Sequence, residues 1–103
     1  MADCMREALK MQGIILSDTN AKKTANRMKL LAHPTRLQIL KLLSKKDLCV
    51  CVLAKAIGKT QPNISQHLAK LKDNGIIEDY HVGKLVYYRL KDEEIKKFAK
   101  NLN

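Results

Sequence analysis

A glycine-centred turn between two short helical patterns is the feature that most limits how this chain folds. Apolar residues recur at helical spacing over residues 48–57 and again over residues 61–74. Gly58 and Lys59 separate the two patterns, and Thr60 is a favourable cap for the second helix. Two short helices joined by such a turn predict a helix-turn-helix.

The residues before this motif predict two further helices and an arm. Helical patterns cover residues 21–32 and 35–43, and Pro34 separates them because proline disfavours helix in the residue before it. A glycine and a run of cap-forming residues interrupt the chain before residue 21. We therefore expect an N-terminal arm over residues 1–20 and a single folded domain over residues 21–103.

The residues after the motif predict a hairpin and a last helix. Residues 76–80 and 85–90 are rich in β-forming side chains and flank a turn. Asp92 is a suitable cap for a helix over residues 93–102, whose apolar edge has no expected partner in the same chain. The predicted fold is mainly α with a small β-hairpin, a winged helix-turn-helix, and the apolar edge predicts a homodimer.

The charge of the chain indicates a polyanionic partner. The sequence has 20 Lys and Arg residues against 10 Asp and Glu residues, a formal net charge of +10. Residues 21–46 contain no acidic residue, so this segment is predicted to contact phosphates. A lysine-rich solvated surface is the alternative. The basic residues of segment 21–46 are Lys22, Lys23, Arg27, Lys29, Arg36, Lys41, Lys45 and Lys46.

The second helix of the motif predicts how double-stranded DNA is bound. Ile64 and Leu68 fall on one face, while polar side chains fall on another. Gln66 and Asn63 carry the amide groups that read adenine, and nearby lysines suit phosphate. A polar helix face without a partner is the alternative. The predicted DNA-binding residues are Lys59, Gln61, Asn63, Ser65, Gln66, His67, Lys70, His81 and Lys84.

Three cysteines predict thiol chemistry. No run approaches the about 20 apolar residues of a membrane span, so we expect a cytoplasmic protein without membrane contact, whose thiols stay reduced. Cys49 and Cys51 form a C-x-C pair at the start of the motif, and Cys4 lies in the arm. Soft thiolates bind soft ions, which predicts a metal site. The alternative is that both cysteines are small, buried hydrophobic residues. Two helical residues at this spacing point about 200° apart, so a shared ion requires an irregular helix start.

Four motifs in order resemble the ArsR/SmtB family of winged-helix repressors. They are LAHPTRL (residues 31–37), DLCVC (47–51), QPNISQHL (61–68) and VYYRL (86–90). The resemblance covers about residues 21–98. It implies a homodimer that binds a palindromic operator in its apo form, with no cofactor required, and leaves it when an inducing ion binds.

The LCVC segment resembles the thiolate site of the arsenic-, cadmium- and lead-responsive branch. The resemblance implies Cys49 and Cys51 as ligands and As(III), Cd(II) or Pb(II) as the inducer. Ala54 stands where the arsenic type with three thiols in one helix has its third cysteine, so Cys4 of the arm is the expected third ligand. The last helix contains no histidine, so the zinc or nickel site of other members is expected to be absent.

Three other functions are alternatives to an inducible repressor. A redox sensor of the same fold would use oxidation of the same thiols as its signal. A small thiol enzyme is disfavoured because the chain lacks a C-x-x-C motif and a glycine-rich phosphate loop. A sequence-neutral architectural DNA protein fits the charge but leaves the cysteines unexplained.

Overall fold

The computed structural model describes residues 2–103 and shows a helix-turn-helix with a small antiparallel sheet, which confirms the predicted winged fold. The helices are α1 (Ala2–Met11), α2 (Asp18–Leu31), α3 (Pro34–Leu43), α4 (Val50–Ile57), α5 (Gln61–Asp73) and α6 (Glu93–Lys100). The strands are β1 (Leu48–Cys49), β2 (Ile77–Val82) and β3 (Leu85–Leu90), in the spatial order β1-β3-β2.

Local sequence determines where most helices begin and end. Ser17, Thr60 and Asp92 cap α2, α5 and α6, and each side chain accepts a hydrogen bond from the backbone N–H three residues later. His33 caps α3, since its Nδ1 accepts from the Thr35 N–H at 3.1 Å. Gly58 ends α4 with a φ of 82°, a conformation that glycine adopts without a steric penalty.

The core holds α5 against α3 and α4. Along α5, Ile64, Leu68 and Leu71 are fully buried, as the helical pattern predicts. The other buried apolar residues are Ile39, Leu40, Leu43, Leu53, Ala54, Ile76, Ile77, Leu90, Ile95 and Ala99. One cluster therefore joins both helices of the motif to the base of the hairpin and to α6.

The predicted helix over residues 48–57 is wrong in its first two residues. Leu48 and Cys49 are extended and pair antiparallel with Tyr88 and Tyr87 of β3, so the hairpin becomes part of a three-stranded sheet. A strand of two residues carries no periodicity, and its partner lies far along the chain, so no local pattern indicates it.

The two N-terminal helices extend away from the core. The described side chains of α1 are exposed, and α2 contains no buried residue. The chain is consequently elongated, with extents of 66 × 24 × 21 Å. Helix α2 begins at Asp18, before the predicted boundary at residue 20, and the division into arm and domain stays a prediction. Across residues 2–103, no helix has the length and apolar character needed to cross a membrane.

Truncating a buried leucine of α5 should destabilise the whole domain. We expect Leu68→Ala to lower the free energy of unfolding by about 2–5 kcal/mol, because Leu68 is 0% exposed and its loss leaves a cavity. Leu85→Ala is the matched control, since Leu85 is 52% exposed, and its expected effect is about 0.5 kcal/mol or less. Chemical denaturation measures both, and equal losses would contradict this account of the core.

Candidate functional site

The outer face of α5 presents a row of free polar side chains. Asn63, Gln66 and Lys70 are exposed, while the apolar side chains of the same helix face the core. Gln61 and Ser65 are exposed as well. The first turn of α5 contains no acidic residue, and the partial positive charge of a helix N-terminus favours a nearby phosphate. This face has the chemistry of a DNA-reading surface.

His67 lies at the inner edge of α5 rather than on the predicted outer face. Its side chain is half-buried, and its Nδ1 accepts a hydrogen bond from Arg36 Nε at 3.2 Å. The ring lies 4.5 Å from the ring of His33, measured between centroids. Arg36 also donates through Nη1 to the Leu30 carbonyl at 2.9 Å. His67 and Arg36 therefore connect α5 to the end of α2, a role that the sequence pattern did not indicate.

The surroundings of His67 lower its pKa below the usual value. Burial is the largest cause, followed by the proximity of His33 and Arg36, with Lys70 and Lys59 adding positive charge. At neutral pH the imidazole is consequently neutral, which leaves Nδ1 free to accept the hydrogen bond from Arg36.

The tip of the hairpin forms a second exposed surface. His81 and Lys84, both predicted to contact DNA, are exposed there. Val82 and Leu85 are 56% and 52% exposed at the same tip, so the wing combines apolar and basic side chains. Lys59 is exposed in the turn that precedes α5.

Part of the predicted phosphate-binding segment is engaged inside the chain. Arg27 pairs with Asp92, and Lys41 Nζ donates to the Lys100 carbonyl at 3.0 Å. Arg36 is held by its contacts with α2 and α5. These three residues stabilise the packing of helices, so fewer of the eight basic residues of this segment are free for phosphate than the charge pattern predicts.

Cys49 and Cys51 lie at the junction between β1 and α4. Cys49 is the N-cap of α4, with an extended backbone of φ −87° and ψ 165°, and Cys51 lies in the first turn of the helix. Both side chains are half-buried. Cys49 therefore lies outside the helix, which corrects the assumption that both thiols belong to one regular helix. That a shared ion requires an irregular helix start stays a prediction.

Cys4 is not brought to this pair within the chain. It is exposed on α1, and α1 lies apart from the core. Among residues 2–103, no group of three or more His, Cys, Asp or Glu side chains is arranged to hold a metal ion. A site with three thiolates therefore requires movement of the arm or a second chain.

The outer face of the sheet carries a tyrosine pair beside Cys49. The rings of Tyr80 and Tyr87 stack with centroids 5.8 Å apart, and the Tyr80 hydroxyl donates to Asp47 Oδ2 at 2.6 Å. This hydrogen bond raises the pKa of Tyr80, so the hydroxyl stays protonated. The Asp47 carboxylate thereby joins the segment before β1 to β2.

Comparison with known proteins identifies the family. The family model described as "Bacterial regulatory protein, arsR family" matches residues 33–79, which contain α3, β1, α4 and α5. The cadmium resistance transcriptional regulatory protein CadC homolog of Staphylococcus aureus is 39% identical over 85 residues, which cover 82% of this chain and 70% of that protein. The chain belongs to the ArsR family. This assignment confirms the predicted resemblance.

Two further relatives place this ArsR-family chain by sequence and by fold. The arsenical resistance operon repressor of Escherichia coli K12 is 51% identical over 63 residues, 60% of this chain. The chain spans about half of that repressor, 54% of its length. The structure of reduced HlyU from Vibrio cholerae N16961 has a TM-score of 0.76 at 31% identity, covering 81% of this chain and 87% of that one.

The stability of the domain should fall in mild acid because of His67. Unfolded histidine has a pKa of 6.5, and the pKa of folded His67 is lower, so below about pH 6.5 the unfolded state binds more protons and the free energy of unfolding decreases. His67→Asn retains an acceptor for Arg36 but no longer titrates, and we expect a flatter profile between about pH 7.5 and pH 5.

Denaturation across this pH range measures the effect. His81→Asn is the control, because His81 is an exposed histidine of the wing, and this variant should keep the wild-type profile. An unchanged pH profile for His67→Asn would show that the contact between Arg36 and His67 does not control the acid response.

Proposed function

We propose that this chain is a transcriptional repressor that binds its DNA operator as a homodimer and releases it when a thiophilic ion binds Cys49 and Cys51. The observation that carries the proposal is the position of the two thiols at the first residues of the helix-turn-helix. Cys49 lies on a strand that pairs with the wing, and Cys51 lies in the first turn of α4. The proposed ligands therefore adjoin both the helix-turn-helix and the wing.

Base reading is assigned to the outer face of α5. Gln66 and Asn63 carry amides that match the adenine edge, and their exposure leaves both amides accessible. Lys59 and Lys70 supply charge on either side for phosphate. Gln61, Ser65, His81 and Lys84 complete the proposed surface. His67 is assigned to positioning of α5, because its ring is already held by Arg36.

The homodimer is proposed to form through α2 and α6. Met28 of α2 and Phe98 of α6 are 67% and 46% exposed, and both line a shallow apolar groove with Leu31 and Leu37. The pair between Arg27 and Asp92 joins α2 to the start of α6, so these side chains form one surface. A second copy on this surface would place two α5 helices for a palindromic operator.

The inducer is proposed to be As(III), Cd(II) or Pb(II). Such ions bond to soft thiolate ligands, and As(III) and Pb(II) suit three sulfurs. Cys49 and Cys51 provide two, and Cys4 of the same or the second chain is the proposed third. The names of the relatives from Escherichia coli and Staphylococcus aureus refer to arsenical and cadmium resistance, which supports this class of ion.

A redox sensor is the second candidate, favoured by the exposed thiol of Cys4. Oxidation of two thiols to a disulfide would then be the signal, with two electrons passing to the oxidant. The two candidates differ in the reagent that restores operator binding. A chelator restores operator binding after induction by an ion, whereas a thiol reductant restores it after oxidation.

Two substitutions on α5 should differ in kind. We expect Gln66→Ala to lower affinity for the operator by about 1–3 kcal/mol with little effect on random duplex, because it removes a base contact. Lys70→Ala should weaken both duplexes equally and reduce the slope of log affinity against log salt by about 0.9. Fluorescence anisotropy titrations at several salt concentrations measure both. If both variants lost the same affinity for operator and for random duplex, these roles would be contradicted.

Removing either thiol of the pair should abolish induction but not DNA binding. We expect reduced Cys49→Ser and Cys51→Ser to bind operator as the wild type does, while added ion no longer releases it. Release in the wild type should correspond to about 1–3 kcal/mol, roughly a 5- to 150-fold loss of affinity. Oxygen-free titrations with As(III), Cd(II), Pb(II) and Zn(II) identify the ion.

The matched variant Cys4→Ser tests the third ligand. We expect a lower affinity for the ion and an altered absorption band from thiolate to metal, with operator binding retained. If added ion fully released the Cys49→Ser, Cys51→Ser double variant from the operator, the inducer would bind elsewhere.

A further inference from the structure

Cys49 lies in a row that crosses the whole sheet. It pairs with Tyr87 of β3, and Tyr87 pairs in turn with Tyr80 of β2. Directly opposite residues of antiparallel strands place their side chains on the same face. The stacking of the two tyrosine rings at 5.8 Å, with 18° between their planes, agrees with this arrangement. The first thiol is therefore the end of a row that reaches the outer strand of the wing.

A side-chain hydrogen bond also connects the segment before Cys49 to the far end of this row. Asp47 lies two residues before Cys49, and its Oδ2 accepts from the Tyr80 hydroxyl at 2.6 Å. The segment that carries the thiol is thus attached to both wing strands, to β3 by backbone pairing and to β2 by this side-chain contact. Charge-assisted hydrogen bonds of this kind are short and strong.

The ring of Tyr80 also contacts Arg89. Arg89 lies 5.2 Å from the ring centroid, and its Nε donates to Glu78 Oε1 at 2.7 Å. Tyr80 therefore contacts a carboxylate, a cation and a second ring. A displacement of Asp47 consequently acts on a fixed side chain of β2.

We propose that Asp47, Tyr80 and Tyr87 are positioning residues that couple the thiol pair to the wing, an inference that rests on the proposed function. In this proposal, an ion that bonds to both thiols draws Cys49 towards Cys51 in the first turn of α4 and away from its place beside Tyr87. The contact between Asp47 and Tyr80 transmits that displacement to β2. His81 and Lys84 then lose their positions for DNA, because both belong to the hairpin that β2 and β3 form.

Tyr80→Phe isolates the coupling, because it removes the hydroxyl and retains the ring. We expect the variant to bind operator and the inducing ion within about twofold of the wild type when each is measured alone. The loss of operator affinity caused by the ion should shrink by about fivefold or more, since allosteric couplings typically span about 5- to 150-fold. Anisotropy gives operator affinity, and absorbance of the thiolate-to-metal band gives ion affinity.

Three further variants separate this coupling from a general effect on the sheet. Tyr88→Phe removes a hydroxyl from the neighbouring residue, which packs against the core on the other face, and it should respond to the ion as the wild type does. Asp47→Asn retains an acceptor for Tyr80 and should keep most of the coupling, whereas Asp47→Ala should lose it.

Amide hydrogen exchange without DNA provides a second measurement. Addition of the ion to the wild type should change protection at the start of α4 and in residues 79–81 of β2. In Tyr80→Phe the first change should persist and the second should vanish. Full release of Tyr80→Phe by the ion, or unchanged exchange in β2 of the wild type, would overturn the coupling and leave the repressor proposal standing. If no tested ion released the wild-type protein from the operator, both the coupling and the repressor proposal would be overturned.

Discussion

The burial of the inner face of α5 is the interaction on which the rest of the structure depends. Ile64, Leu68 and Leu71 are withdrawn from water by α3, α4 and the base of the hairpin, and each such side chain contributes about 1.5–3 kcal/mol. Because one face of the helix is fixed in the core, the opposite face must point outwards. The exposed amides and lysines that we propose for DNA binding are a direct consequence.

Polar contacts refine the position that the core provides. Arg36 connects α5 to the end of α2 through His67 and the Leu30 carbonyl, so the proposed reading helix is attached to the proposed dimer helix. Spacing between two reading helices determines which half-sites a dimer can bind. A single arginine, predicted from charge alone as a phosphate contact, thus has a structural role in the geometry of recognition.

The pairing of β1 with β3 gives the thiol pair its setting. It places Cys49 outside α4 and beside Tyr87, with Asp47 in contact with Tyr80. Most helix ends were predictable because Thr60, Asp92 and Gly58 act through neighbours within four residues. The strand and the tyrosine row were not, because their partners lie on another part of the chain and no periodic pattern marks them.

By itself the sequence determined the order of the helices, the hairpin, the apolar face of α5 and the types of side chain available for DNA and for soft ions. These follow from spacing, caps and local chemistry, and the comparisons confirm the family that the four motifs resemble. Only the tertiary structure decided that His67 faces inwards, that Arg27 is paired, and that Cys4 lies apart from the other thiols. The physical reason is that these outcomes depend on which distant surfaces meet when the core closes.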